Sequence, residues 1–273
     1  MALTNNFKNI LITGGTSGLG LELVRLFLEG GSEVYTTGRD PSRLQSGESK
    51  LHFISVDFSD LKEVSEAARK LTLQSVKFDL LINNAGILSP PHYTTTKDSL
   101  EYTFQVNFLS HHLLDELIIR NADNKFELMV VSVTSPVYKY VKPDFKMSDI
   151  EKYRSFKAYA ESKLYLLLAG EHIHNKYPEK RLIFIGYDPG TFRSGIHRMQ
   201  KKWFQHLYRI AGPFMRSPAY VAKTLYGILA NRICIDGLVY NITAETKPAP
   251  FSDSATAREF FTFWDQKLAG FLN

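Results

Sequence analysis

A single cysteine, Cys234, stands among the 273 residues. It excludes an internal disulfide and favours a reducing compartment. Long apolar runs are equally scarce, and no stretch approaches the ~18 residues of a membrane span. The first residues do not read as a secretory leader, because Asn5, Asn6 and Lys8 interrupt them before Ile10-Leu11-Ile12 runs into a glycine cluster. A cytoplasmic location is the expectation. Charge of one sign is lacking too. A formal charge of +5, spread over roughly 12,000 Å² of surface, does not argue for nucleic acid. No short repeat and no biased linker divides the chain, so residues 1–273 are read as one domain. What is present is apolar material: 44% hydrophobic and 13% aromatic residues, enough to bury a core and exclude disorder.

Ile10-Leu11-Ile12 predicts a strand. Leu21, Val24, Leu26, Phe27 and Leu28 predict a helix beginning near Gly18 and stopped by Gly30-Gly31. Further strands are expected at 33–37, 51–56, 78–82, 126–133 and 181–186, with a short last one at 238–240. Helices are expected after a cap at Ser59 or Asp60, and over 100–120, 156–175 and 220–231. Such alternation requires parallel pairing with helical cover on both sides. The expected fold is a single α/β domain, a Rossmann-like doubly wound parallel sheet with helices on both faces.

Strand, glycine turn and helix together make a dinucleotide site on physical grounds. In Thr13-Gly14-Gly15-Thr16-Ser17-Gly18-Leu19-Gly20, Gly14 permits the turn, while Gly18 and Gly20 let pyrophosphate and sheet approach the backbone. The helix start supplies free N–H groups and a positive dipole end. No Lys-Ser or Lys-Thr follows the glycines, which excludes the triphosphate-binding loop. The alternative is a plain tight connection. The second strand ends Thr36-Thr37-Gly38-Arg39, where Gly38 leaves room and Arg39 suits a 2′-phosphate. NADP(H) is therefore preferred over NAD(H), whose ribose Asp40 would serve. Asp57 suits an adenine amino group or, equally, a turn or helix cap.

Tyr159 and Lys163 lie four apart in an expected helix and share a face. A phenol near pKa ~10 is a poor proton carrier at neutral pH. A neighbouring ammonium stabilises the phenolate and brings that pKa down. Lys163 would also donate to ribose hydroxyls. A Tyr four residues before a Lys is common by chance, so position matters more than the pair.

These motifs, met in order along nearly the whole chain, resemble those of the short-chain dehydrogenase/reductases. The resemblance implies a cofactor loop from Thr13 to Gly20, with Thr13, Gly14, Thr16, Ser17, Gly18, Leu19 and Gly20 at the nucleotide. It implies adenine contact by Asp57 and Phe58, and a sheet-stabilising segment Asn83-Asn84-Ala85-Gly86 beside the cofactor. Asn107 would help hold a proton-relay water near the lysine. Ser135 would bond the substrate oxygen, and Tyr159 and Lys163 would form the catalytic pair. Pro189, Gly190, Phe192 and Ser194 would face the nicotinamide end. Departures are Ser132 and Thr134 around the serine, Ser17 where a basic residue often marks NADP preference, and Arg193-Ser194 in place of an apolar run. The residues 107–114, the spacing from Ser135 to Tyr159, and Phe263-Trp264-Asp265 are similar to the retinol dehydrogenase, WW-domain oxidoreductase and protochlorophyllide reductase branch. The implied activity is carbonyl–alcohol interconversion on an apolar small molecule. A catalytically silent dinucleotide sensor or scaffold is the alternative, with an epimerase or dehydratase of the extended branch as a further rival.

No metal is expected. His111 and His112 point about 100° apart on a helix, no third ligand is suitably spaced, and His172 and His174 fall on different faces. The stretch 193–209 mixes Arg193, Arg198, Lys201, Lys202 and Arg209 with Phe192, Ile196, Met199, Trp203, Phe204, Leu207, Tyr208 and Ile210. It is read as a substrate lid near 191–215, with membrane contact or ordinary packing as alternatives. Phe260, Phe261, Phe263 and Trp264 would close the pocket or fill an interface. A homodimer or homotetramer would pair through 100–120 and 156–175, which requires exposed apolar outer faces.

Overall fold

The computed structural model describes residues 6–272 apart from 46, 144, 146–149, 232–233 and 251–253; the side chains of 198, 204, 207, 211 and 212 also lie outside the description. In chain order the elements are β1 (Asn9–Ile12), α1 (Gly18–Glu29), β2 (Glu33–Gly38), β3 (Leu51–Ser55), α2 (Leu61–Leu73) and β4 (Leu80–Asn83). Then come α3 (Tyr102–Phe104), a π-helical turn (Gln105–Leu109), α4 (Ser110–Asn121), β5 (Glu127–Val133) and α5 (Ser155–Lys176). The last part holds β6 (Arg181–Asp188), α6 (Lys202–Ala211), α7 (Pro218–Ala230), β7 (Leu238–Asn241), β8 (Thr246–Pro248) and α8 (Ala255–Leu272). Asp60, not Ser59, caps α2, its side chain accepting from the Lys62 and Glu63 amides.

The sheet runs β3-β2-β1-β4-β5-β6-β7-β8. All pairs are parallel except β7 with β8, where Val239 faces Lys247 in antiparallel register. The sheet is thus largely parallel, as the sequence leads one to expect, with a single antiparallel pair at its edge. The exception is a hairpin at the edge, where a short turn joins neighbouring strands without a crossover. Side chains alternate across the pleat. Leu11, Leu81 and Val130 enter the core under α2, α4, α5 and α8. Ile10, Ile12, Ile82 and Val131 enter the opposite core, under α1 and α7.

Strand order reverses between β1, which pairs with β2, and β4, which lies on its other side. Two loops diverge at the carboxyl ends of those strands and leave a crevice where such sheets bind ligands. That places the glycine loop, the Asn83 segment and the end of β5 side by side.

Helix α8 is an element beyond those the sequence periodicity predicts. It buries Ala257, Phe260, Phe261, Trp264 and Leu268 along one stripe, against Phe104, Phe108 and Tyr165. Helix α8 thus packs on α4 and α5, the two helices through which a homodimer or homotetramer would pair. Among the described residues, no helix is long and apolar enough to cross a membrane.

Candidate active site

Ser17 precedes α1 in extended conformation, and its side chain makes no capping bond, so the first-turn amides stay available. Gly18 has φ +56°, and a Cβ there would meet nothing within 4 Å. The backbone is bare toward the crevice at that point. At Gly20 a Cβ would run into the Gly14 carbonyl and the Asn84 amide, so this glycine serves packing of loop on loop. Leu19 and Phe58 are core side chains at 4% and 7% exposure, leaving only their main chains for a nucleotide. Gly38 has a different purpose from the one expected. A Cβ there would lie 2.6 Å from Thr16 Cγ2, so its bareness admits Thr16 and not a phosphate. Arg39 is exposed at the end of β2. Asp40 turns onto Ser42, accepting from its amide at 2.9 Å and its hydroxyl at 3.0 Å. Asp57 Oδ1 likewise takes the Ser59 amide and hydroxyl, the turn role weighed beside adenine contact. The cradle fits a dinucleotide: free helix amides, a bare loop and an outlying guanidinium.

Thr13 links the first two loops. Its hydroxyl accepts from the Asn84 and Ala85 amides, each at 2.9 Å, while Asn84 Nδ2 donates to the Thr13 carbonyl at 2.8 Å. Asn107 sits in the π turn, a distortion common at functional sites. Its Oδ1 accepts from Ile87 N at 2.8 Å, and its Nδ2 donates to Ile87 O and Ser162 Oγ at 3.0 Å each. The side chain is thereby spent on fixing the loop after Gly86. A Cβ on Gly86 would approach both Asn107 Oδ1 and Lys163 Nζ, at 3.2 and 3.3 Å.

Ser135 follows β5, in extended conformation at the start of a short 3-10 helix (Pro136–Tyr140). Tyr159 and Lys163 occupy one buried face of α5. Burial pushes the Tyr159 phenol up to about 12; a hydrogen bond from Ser135 opposes this, and the Tyr208 phenol and Asp188 add to it. Burial also pushes the Lys163 ammonium down to about 8, and Lys163 Nζ donates to the Val133 carbonyl at 3.0 Å. The expected lowering of Tyr159 by Lys163 is therefore not what the chain alone provides. Desolvation penalises both charged forms, the phenolate and the ammonium. Tyr159 stands as a neutral acid at pH 7.

After β6, Gly190 takes φ +61° and donates to Asp188 Oδ1 at 3.0 Å. Phe192 and Ser194 then meet α6: the Tyr208 hydroxyl donates to Phe192 O at 2.6 Å and lies 3.3 Å from Ser194 Oγ. The segment bridges to the loop after Gly86, with Leu88 N on Ile196 O at 3.1 Å and the Gln200 amide on Ser89 O. Trp203 and Ile210 are exposed at 61% and 57%. Of the remaining residues named for this stretch, the side chains of Arg198, Phe204 and Leu207 lie outside the described ones.

Three features escaped sequence reasoning. His111, weighed in the sequence only as a metal ligand, lies 3.0 Å from Thr13 Oγ1 and so touches the glycine loop. Burial, then the Lys163 charge, pushes it down to about 3 and keeps it neutral. The Tyr208 phenol, named in the sequence only as part of the 193–209 stretch, bears electrostatically on Tyr159 from a helix nearly fifty residues later. The third is a correction. His112 and His172 do find a common third group, Asp265 on α8, and the three offer ligand atoms within 4.8 Å of one another. A separation of 93 residues hides it.

The short chain dehydrogenase family profile matches residues 8–204, so the chain belongs to that family and is an oxidoreductase of its carbonyl–alcohol type. A short-chain dehydrogenase/reductase of Aspergillus calidoustus is 32% identical over 97% of this chain and 91% of its own length. The WW domain-containing oxidoreductase of Drosophila melanogaster is 28% identical over 92% of this chain, which spans 66% of that relative. Among solved structures, a short chain dehydrogenase of Leptospira borgpetersenii with bound NAD+ matches at TM-score 0.67 and 21% identity, over 88% of this chain and 93% of its own. That likeness concerns the fold.

Proposed function

We propose that the protein is an NADP(H)-dependent reductase of an apolar carbonyl compound, running in reverse as an alcohol dehydrogenase. The observation that carries the reading is the meeting of the Ser135 and Tyr159 hydroxyls above a buried Lys163. Ser135 orients and polarises the substrate oxygen. Tyr159, held protonated by burial, hands that oxygen a proton as charge develops on it. Lys163 holds the ribose side of the cleft, and its charge stabilises the phenolate left behind. Asn107 fixes the loop from Gly86 to Ile87 and leaves its π-turn backbone beside a water path to Lys163. A bound nicotinamide dinucleotide would supply or accept the hydride.

Thr13, Gly14, Thr16, Ser17, Gly18, Leu19, Gly20, Asn84, Ala85 and Gly86 form the nucleotide cradle in this reading. Arg39 favours the 2′-phosphate form, because Asp40 is already engaged with Ser42. Asp57 and the Phe58 main chain serve the adenine end; Pro189, Gly190, Phe192 and Ser194 serve the nicotinamide end. Ile87, Leu88, Phe192, Ile196, Met199 and Tyr208 are half-buried around the mouth, which suits an apolar substrate beneath a lid at 191–215.

The test is Tyr159→Phe, assayed by NADPH and NADH oxidation against small aldehydes, aromatic ketones, quinones, retinal and steroids. Turnover should fall by roughly 10²- to 10⁴-fold, the usual worth of a positioned proton donor, while NADPH affinity stays within about threefold. Retained turnover would sink the assignment.

A further inference from the structure

Phe104 precedes the π turn that carries Asn107 and Phe108 lies within it, and both rest on α8. Trp264 lies 5.0 Å from Phe104, and Phe260 lies 6.2 Å from each of the two, centroid to centroid. Phe261 approaches Phe108 at 6.0 Å. The outer support of the catalytic turn is thus a helix more than 150 residues later in the chain.

One carboxylate fixes that helix. Asp265 Oδ1 accepts from His112 Nε2 at 2.9 Å, and Oδ2 accepts from His172 Nε2 at 3.0 Å and Lys176 Nζ at 2.8 Å. Lys176 also donates to Glu116 Oε2 at 2.9 Å, which takes the Tyr177 hydroxyl at 2.8 Å. Helices α4, α5 and α8 therefore converge on Asp265. The imidazoles belong to the aromatic packing as well. His112 stacks on Phe108 at 5.8 Å, and His172 on Phe261 at 4.9 Å. A partly buried carboxylate lacking these donors would be costly to keep ionised, so the register of α8 is tied to the three partners. The same atoms have metal-ligand types, but the Lys176 ammonium already sits on the carboxylate and supplies the positive charge.

We propose that Asp265 is a positioning residue for the active site. It locks α8 against Phe104 and Phe108, and through them sets the turn that presents Asn107 to Ile87 and Ser162. The kinetic part of the test rests on the function proposed above; the exchange part does not.

Asp265→Asn keeps the shape and removes the anion. Hydrogen exchange of the full chain is followed at the amides of 105–109 and Ile87, beside kcat, KM and NADPH affinity. Exchange at both places should quicken by roughly tenfold and kcat should fall roughly tenfold, because small misplacements at a site are costly. KM and NADPH affinity should stay within about twofold, and Asp265→Glu should recover part of kcat. Quickened exchange confined to α8 would overturn the proposal. So would a Zn²⁺-dependent rise in wild-type Tm that Asp265→Asn abolishes, since the carboxylate would then be a metal ligand. If Asp265→Asn does not fold, His172→Gln removes one donor at the rim and must move the same amides in the same direction. If the wild type reduces no carbonyl compound, the proposed function fails while the exchange at 105–109 and Ile87 still decides the role of Asp265.

Discussion

Lys163 Nζ donates to the main-chain carbonyl of Val133 over 3.0 Å. The bond ties α5 to the end of β5, two residues before Ser135, and holds an ammonium that is only 3% exposed. The position is costly to the fold and useful to the site. Burial lowers its pKa to about 8, so the unfolded chain holds this proton more tightly than the folded protein.

Stability should accordingly rise with pH between about 8 and about 10.4, the ordinary lysine value. Below pH 8 the buried charge is a full penalty. Lys163→Met removes it, and its Tm at pH 6–7 should be no lower than wild type despite the lost bond to Val133. The advantage should vanish above about pH 10, and turnover should be lost at every pH. Thermal melts across that range check the sign. A marked fall in Tm at pH 7 would show that the bond outweighs the burial.

Arg39 is exposed beside an Asp40 already turned onto Ser42. Arg39→Ala should weaken NADPH binding by roughly 10- to 100-fold, the worth of a hydrogen bond to a charged group. NADH binding should change by less than about twofold. Fluorescence titration with both nucleotides separates the two, and equal losses would place the 2′-phosphate elsewhere.

Gly18 and Gly20 should fail differently on substitution. Gly18→Ala puts a methyl into open space at φ +56°, a strain of about 1–2 kcal/mol; the protein should fold with a Tm a few degrees lower and bind nucleotide poorly. Gly20→Ala drives a methyl into the Gly14 carbonyl and should reduce soluble yield as well as binding. Comparable Tm values for the two variants would contradict the packing role given to Gly20.

Asp115 is buried behind β4, where it accepts from Asn83 Nδ2 at 2.6 Å. Burial, helped by the Glu116 charge and partly offset by Asn83, raises its pKa from 3.8 to about 8. The folded protein keeps a proton that the unfolded chain releases, so stability declines from about pH 4 to about pH 8 and then levels. Asp115→Asn should flatten that decline and raise Tm at pH 8 by roughly 5 °C, with little change at pH 4. A lower Tm at pH 8 would refute the buried-acid reading.

The strand–glycine–helix unit, the Asn83 segment and the Tyr159–Lys163 spacing are local patterns, and each appears where the periodicities place it. Helix α5 runs from Ser155 to Lys176 against an expected 156–175. The π turn within the expected 100–120 helix left no mark, because Gln105–Leu109 reads as ordinary helix. Strand β8 is three exposed residues with a proline, too short for an alternating pattern. Helix α8 shows in the sequence as an aromatic cluster, although Phe260, Phe261, Trp264 and Leu268 have helical spacing.

By itself, the sequence determined the alternation of strands and helices, the nucleotide-binding loop and the residues offered to chemistry, since these depend on backbone preference and spacing within a few turns. Tertiary structure alone decided the protonation tendencies of Tyr159, Lys163, His111 and Asp115, because desolvation depends on what the whole fold packs around a charge. It also joined Thr13 to His111 and Asp265 to His112 and His172. Such contacts connect residues dozens to more than a hundred positions apart, brought together by packing and carried by no local pattern.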